Sequence, residues 1–299
     1  MRAWSSARFT VPLPEGHRFP ITKYQRIRDA VVARGLLAPH EVEEPDRVER
    51  WALGLVHGPE YIEAVAEGSL SALAVRRLGF PWSEALLERS LRTVQGTVEA
   101  GLHALGSGAG INLAGGTHHA FAAHGEGFCV FNDVAVAVRV LQRQGLVRRA
   151  AIVDLDVHQG NGTASIFAGD PDVYTFSIHG AGNFPFRKEP STLDVELPDG
   201  TADQSYCAML AAHLEQVLDA SQPEIVFYLA GADPYLQDRF GRLALSFDGL
   251  RIRDRMVFEQ CRRRRIPVAV TLAGGYARSL EDVVTIHTAT VAELRRAYG

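Results

Sequence analysis

Cysteine is scarce here, and the three present cannot form a framework: Cys129, Cys207 and Cys261 are odd in number, far apart and never in a CxxC pair. That argues against a disulfide-stapled scaffold and suits a reducing compartment. No apolar run is long enough to span a bilayer, and the first twenty residues hold no long apolar segment, so a cytoplasmic location is the default expectation, with no membrane partner. A basic excess is also missing. With 31 Lys and Arg against 35 Asp and Glu the net charge is −4, which argues against direct nucleic-acid binding. The one strong basic cluster, Arg262 to Arg265, reads as a solvated helix end before a strand at Pro267 to Ala273. Internal repeats, low-complexity tracts and Pro/Ser/Gly linkers are absent too, so residues 1–299 are read as a single catalytic-size domain.

What is present is alternation. After a strand near Met1 to Ser5 come helical patterns at Lys23 to Arg34, Glu60 to Glu67 and Trp82 to Leu105, the last ending in a glycine-rich tract, Gly106 to Gly110. Strands are then expected at Ile111 to Ala114, Ala151 to Val157, Val173 to Ile178, Ile225 to Ala230 and Pro267 to Ala273. Helices are expected at Asn132 to Gln144, Gly162 to Ala168, Gln204 to Leu218, Leu250 to Arg263 and Ser279 to Ala297. Such alternation predicts an α/β fold of three layers, α/β/α, around a mainly parallel central sheet. Ligands bind outside the carboxyl ends of such strands, which makes the residues following each strand the place to look.

Five exits carry chemistry. The stretch Ile152 to Thr163 places Asp154, Asp156 and His158 at alternate positions of a buried strand, hence on one face. Buried charges of this kind must be paired or bound to a cation. Another exit gives Gly115-Gly116-Thr117-His118-His119; the rest give Ser177 and His179, Gly231-Ala232-Asp233, and Gly274-Gly275-Tyr276. Asp156, His158 and Asp233 together make two carboxylates and one imidazole, a set that leaves coordination positions for water and substrate. Zinc is the first choice of ion, with iron(II) or cobalt as alternatives, because the set lacks thiolate. The ordinary role for either aspartate alone is a helix cap or salt bridge. His118 and His119, adjacent, cannot both point the same way from an extended chain, but after a Gly-Gly turn beside a metal they suit an acid/base pair, Asp154 orienting His118. Tyr276 could bring its hydroxyl to a carbonyl opposite the metal.

These residues resemble the zinc-dependent histone deacetylase family, which also takes in acetylpolyamine amidohydrolases and acetoin-utilisation proteins and shares its fold with arginases. The resemblance rests on Gly115 to Ala120, Gly125 to Asp133 (Gly-Glu-Gly-Phe-Cys-Val-Phe-Asn-Asp), Asp154 to Gly162, Gly231 to Asp233 and Gly274 to Tyr276, in family order from about His17 to Thr290. The compact form, with its Asn183 to Pro190 segment, is most similar to small bacterial and class IV members. It implies zinc on Asp156, His158 and Asp233, His119 as the proton acceptor for the attacking water, His118 tuned by Asp154, and Tyr276 with zinc stabilising the oxyanion. It further implies that Phe128 and Phe184 sandwich an acyl-lysine stem beside Gly127, and that Asp154 and Ser177 hold a structural potassium ion. A second such ion is implied near Phe167, Asp170 and Val173.

One position departs from many members: Asn161 stands where some carry the aspartate that partners the second histidine, so a lower His119 pKa is expected. The expected activity is hydrolysis of acetyl or another acyl group from the ε-amine of lysine, on a protein or peptide, or from a related small amine. An acetylpolyamine amidohydrolase and a long-chain deacylase are the alternatives within the family. An arginase-like ureohydrolase would need a second metal and further aspartates, and a silent acyl-lysine binder would need a missing catalytic residue. Oligomeric state is not written in the sequence.

Overall fold

The computed structural model describes residues 1–299. In chain order its elements are β1 (Arg2–Trp4), α1 (Lys23–Ala33), β2 (Val42–Glu43), α2 (Arg50–Leu53), α3 (Pro59–Glu67), α4 (Ala72–Leu78), α5 (Glu84–Ser107), β3 (Ala109–Asn112), α6 (Asp133–Arg143), β4 (Ala150–Asp154), α7 (Asn161–Ile166), β5 (Val173–Gly180), β6 (Leu193–Leu197), α8 (Asp203–Ser221), β7 (Ile225–Leu229), α9 (Phe247–Arg264), β8 (Val268–Thr271) and α10 (Leu280–Tyr298). All eight strands run parallel in one sheet, ordered β2-β1-β3-β8-β7-β4-β5-β6. Both faces are covered, which is why the strands read as near-continuous apolar runs. Ala151 and Val153 pack into the core shared with α1, α8, α9 and α10, and Ala150 and Ile152 into the core shared with α3, α5 and α6. No helix is long and apolar enough to cross a membrane.

Two boundaries differ from expectation for identifiable reasons. The glycine tract after α5 is not all loop: Gly108 ends the helix at φ 86°, and Gly110 already belongs to β3. A Cβ at Gly110 would lie 2.3 Å from the Ala100 carbonyl oxygen, so the strand lies against the helix backbone. The second correction concerns the site. β4 ends at Asp154, not Val157. Asp154 Oδ1 accepts from Asp156 N (3.1 Å) and Asp156 Oδ1 from His158 N (2.9 Å), and these side-chain acceptors bend the chain out of the sheet. Asp156 and His158 therefore sit on an irregular exit, not on one face of a continuing strand. The short β2, β6, α2 and α4 escape prediction because so few residues show no period. Arg262 to Arg264 do end α9, with Arg264 paired to Glu215 and Asp219.

Mid-way along α9 an ion pair is buried. Arg253 and Asp254 are 0% and 1% exposed. The guanidinium contacts Asp254 Oδ1 (2.8 Å) and donates to the carbonyls of Gly231 (2.6 Å) and Leu155 (3.2 Å). The hydroxyls of Tyr228 and Thr290 donate to the two oxygens of Asp254. Leu155 precedes Asp156 and Gly231 lies two residues before Asp233, so the guanidinium ties together, from behind, the two loops that carry the acidic site residues.

Candidate active site

β3, β8, β7 and β4 are neighbours at the centre of the sheet although β7 and β8 come last in the chain. Their carboxyl ends bring together His118 and His119, the Gly274 to Tyr276 turn, Asp233, and the Asp154 to His158 loop. The exits that look scattered in the sequence thus open into one place.

The histidine turn is set by Asp133, whose carboxylate accepts from Gly116 N (3.0 Å), Thr117 N (2.7 Å) and Thr117 Oγ1 (2.6 Å). Gly115 and Gly116, at φ 77° and 76°, allow that wrap. Because His118 and His119 occupy a turn and not an extended segment, both rings face the site, with centroids 4.1 Å apart. His118 Nδ1 lies 2.6 Å from Asp154 Oδ2, and His119 Nδ1 lies 2.7 Å from Asn161 Oδ1. Asn161 Nδ2 donates to Glu126 Oε1 (3.1 Å), an acceptor only, which fixes the amide with its oxygen toward His119. Nδ1 of His119 must therefore carry the hydrogen, leaving Nε2 with a free lone pair. Burial opposes charge on His118, but Asp154 outweighs it and moves the imidazole up to about 9. Burial, followed by the charges of His118 and His158, drives His119 well below the histidine range. The two adjacent imidazoles are thus pushed in opposite directions, His118 toward its protonated form and His119 toward its neutral one.

Asp156, His158 and Asp233 are buried and offer ligand atoms within 4.8 Å of one another. Each carboxylate has an oxygen anchored by the backbone: Gly274 N donates to Asp156 Oδ2 (2.8 Å) and Val157 N to Asp233 Oδ1 (3.0 Å). Asp233 Oδ2 is buried with no hydrogen-bond donor. His158 Nδ1 stands 3.0 Å from Asp156 Oδ1 and 3.3 Å from Asp233 Oδ2. Glycine at 274 is required, because a Cβ there would lie 1.9 Å from Asp233 Oδ2. The donor set fits a borderline divalent cation: an orphaned carboxylate oxygen and an imidazole nitrogen converge where a charge is missing. Burial works against a protonated His158, yet the two carboxylates raise it to about 10; burial and then Asp156 push Asp233 up to about 6.

Tyr276 is nearly buried, 8% exposed, and burial followed by Asp233 raises its phenol well above the usual range. Its position is held by Asp238, which accepts from Tyr276 N (2.6 Å), and by Arg239, whose Nε donates to the Tyr276 carbonyl (2.9 Å). Phe184 packs edge-on to His119 (5.0 Å between centroids), and Lys188 ties its loop by donating to the carbonyls of Asn183 (2.8 Å) and Pro185 (2.6 Å). Phe128 packs, with tilted rings, among Phe19, Phe80 and Tyr276. Gly127, at φ 55°, lies between: a Cβ there would come 2.7 Å from the His119 ring. Phe128, Phe184, His119, His158 and Tyr276 line one open cavity of about 650 Å³. Ser177 is in register with Asp154 across β4 and β5, and its hydroxyl meets His179 Nδ1 (2.9 Å).

Four supporting residues escaped the sequence reading. Glu126 and Asp133 lie inside the Gly125 to Asp133 segment, but their partners are set by folding. Asp238 and Arg253 carried no signal, since a charge in a loop or on an arginine-rich helix reads as solvated.

Residues 17–291 match the family model of the histone deacetylase domain. The chain is 45% identical over 280 residues to an uncharacterized protein of Picosynechococcus sp., covering 94% of this chain and 93% of that one. It is 30% identical over 277 residues to histone deacetylase 2 of Arabidopsis thaliana, covering 90% and 72%. With acetoin utilization protein AcuC of Staphylococcus aureus the identity is 27% over 256 residues, covering 78% and 66%. Among solved structures, an HDAC homolog complexed with SAHA superposes with a TM-score of 0.81 at 24% identity, covering 98% of this chain and 83% of that one. The HDA15 HD domain gives 0.82 at 22%, covering 99% and 88%. The architecture is therefore the α/β arrangement shared by arginases and deacetylases. Within it, the chain belongs to the histone deacetylase family and is a deacetylase, an enzyme that hydrolyses amide bonds.

Proposed function

We propose that this enzyme removes acetyl or other acyl groups from a lysine-type amine, with Asp156, His158 and Asp233 holding a divalent cation, zinc first. The observation that supports this reading most is that His119, with its free Nε2, His158 and the protonated phenol of Tyr276 line one aromatic-walled cavity and also a smaller one beside it that Asp156 and Asp233 line. When bound, the cation would polarise the acyl carbonyl and make water nucleophilic near neutral pH. His119 Nε2 takes the proton from the attacking water and returns a proton to the departing amine as the C–N bond breaks and the new C–O bond leaves a carboxylate. His118, held protonated by Asp154, keeps positive charge beside the developing anion. The Tyr276 hydroxyl donates to the oxyanion. Phe128 and Phe184 wall the aliphatic stem, with Gly127 leaving room between them. Asp154 and Ser177, paired in register across β4 and β5, would hold a structural potassium ion.

The decisive test is a panel of acetyl-lysine, fatty-acyl-lysine and acetylspermidine substrates offered to metal-loaded enzyme. Turnover of an acyl-lysine is expected, and absence of turnover on every amide would overturn the reading in favour of a silent binder. Tyr276→Phe is expected to lower kcat by about 10²- to 10³-fold with KM little changed, since the hydroxyl acts on charge that exists only in the transition state. Unchanged kcat would remove it from the mechanism.

Metal binding should report the proton on His158. Below its pKa of about 10 that proton competes with the cation, so raising the pH removes the competitor and affinity rises. One proton released per ion gives a gain of about tenfold per pH unit, steeper below about 6 where Asp233 also holds a proton. Competition with a chromophoric chelator between roughly pH 6 and pH 8 measures this, and a flat profile would contradict the assignment of His158.

A further inference from the structure

The cavity mouth carries a charge opposite to that of the molecule. The chain is −4 overall, yet Arg18, Arg76, Arg77, Arg239 and Arg242 all line this one opening, and all are exposed. Only two of the five have a carboxylate partner: Arg77 lies 4.0 Å from Glu126, and Arg242 3.2 Å from Asp199. Arg239 is hydrogen-bonded to carbonyls, and Arg18 and Arg76 form no ion pair. Glu126 is the only acidic side chain on the lining. The arginines come from separate parts of the chain: the loop before α1, the end of α4 and the loop between β7 and α9. They converge on this one lining only in the folded protein.

This inference rests on the deacylase reading, which places the acyl carbonyl at the floor and the stem of the amine between Phe128 and Phe184. What lies among the arginines is then the far end of the departing amine. We propose that this far end is anionic, and specifically that the substrate is an acyl-lysine flanked by acidic side chains in a peptide. A polyamine would bring ammonium groups to the same place and be repelled. Clefts lined by one sign of charge raise the local concentration of oppositely charged substrate. The effect fades with salt, because the Debye length shrinks from about 10 Å at 0.1 M to about 3 Å at 1 M.

The test compares three acetyl-lysine peptides that differ only in having acidic, neutral or basic neighbours, together with acetylspermidine, on metal-loaded enzyme. At low salt kcat/KM is expected to be at least about tenfold higher for the acidic than for the basic peptide. The difference should lie in KM, shrink toward unity near 0.5 M salt, and reverse in the double variant Arg18→Glu, Arg76→Glu. The ratio between peptides is internally normalised, so a general loss of activity in the variant cannot imitate the reversal. Equal or basic-favouring ratios with the neutral peptide still cleaved would overturn the charge inference and leave the deacylase reading standing. If no peptide is cleaved the deacylase reading fails, and calorimetric affinities of the acidic and basic peptides then decide the charge inference, equal values overturning it.

Discussion

His119→Ala is expected to lower kcat by about 10²- to 10⁴-fold, the range over which a positioned general base contributes, while metal content stays at the wild-type level. The direction follows from the hydrogen-bond chain. Glu126 can only accept, so it orients the Asn161 amide, which in turn accepts from His119 Nδ1 and leaves Nε2 to receive a proton. Because His119 is held well below the usual histidine range, it is neutral at pH 7 and its lone pair is available. The expected profile of kcat/KM rises with pH through the His119 titration, and the sign is that of a base that must be unprotonated. Asn161→Asp puts a charge in place of the amide oxygen, favours the imidazolium, and should move that acidic limb to higher pH. A limb that does not move would separate Asn161 from the titrating group, and a His119→Ala enzyme of normal kcat would end its role as base.

Asp254→Ala is expected to destabilise the fold by about 3–5 kcal/mol, the cost of leaving a buried charge without its partner. Arg253 is fully buried and its remaining partners are carbonyls, while Tyr228 and Thr290 would lose their acceptor together. The double variant Arg253→Met, Asp254→Leu removes both charges and should be less destabilised than Asp254→Ala alone, because unpaired burial and not the loss of attraction dominates the cost. Urea midpoints of the metal-free proteins decide this. A single variant as stable as the wild type, or a double variant worse than the single, would show that the guanidinium reaches solvent or another anion. Since the same guanidinium binds the carbonyls of Leu155 and Gly231, the single variant should also bind metal more weakly, through slackened positions of Asp156 and Asp233.

The chemistry was legible in the sequence to an unusual degree because the exits of parallel strands are where α/β sheets place ligands, and five exits carried histidine, aspartate or tyrosine. His118 Nδ1 lies 2.6 Å from Asp154 Oδ2, and the Asp156, His158 and Asp233 side chains do meet. Local periodicity does not show where a side chain competes with the backbone. Apolar alternation carries β4 through Val157, whereas Asp154 and Asp156 capture amides and turn the chain after Asp154. The Gly115-Gly116 turn that pairs His118 with His119 is legible in the sequence, whereas the carboxylate of Asp133 that holds it is not.

Residue order alone determined the alternating elements, the parallel sheet they imply and the identity of the reactive groups, since apolar periodicity and residue chemistry are local properties of the chain. Only tertiary structure decided that β8 and β7 lie between β3 and β4, which makes neighbours of His119, Tyr276, Asp233 and His158. The same holds for what burial does to charge: Arg253 and Arg76 look alike as letters on arginine-rich helices, yet one is sealed behind the ligand loops and the other stands open at the mouth. The difference is solvent access, and no short stretch of sequence contains it.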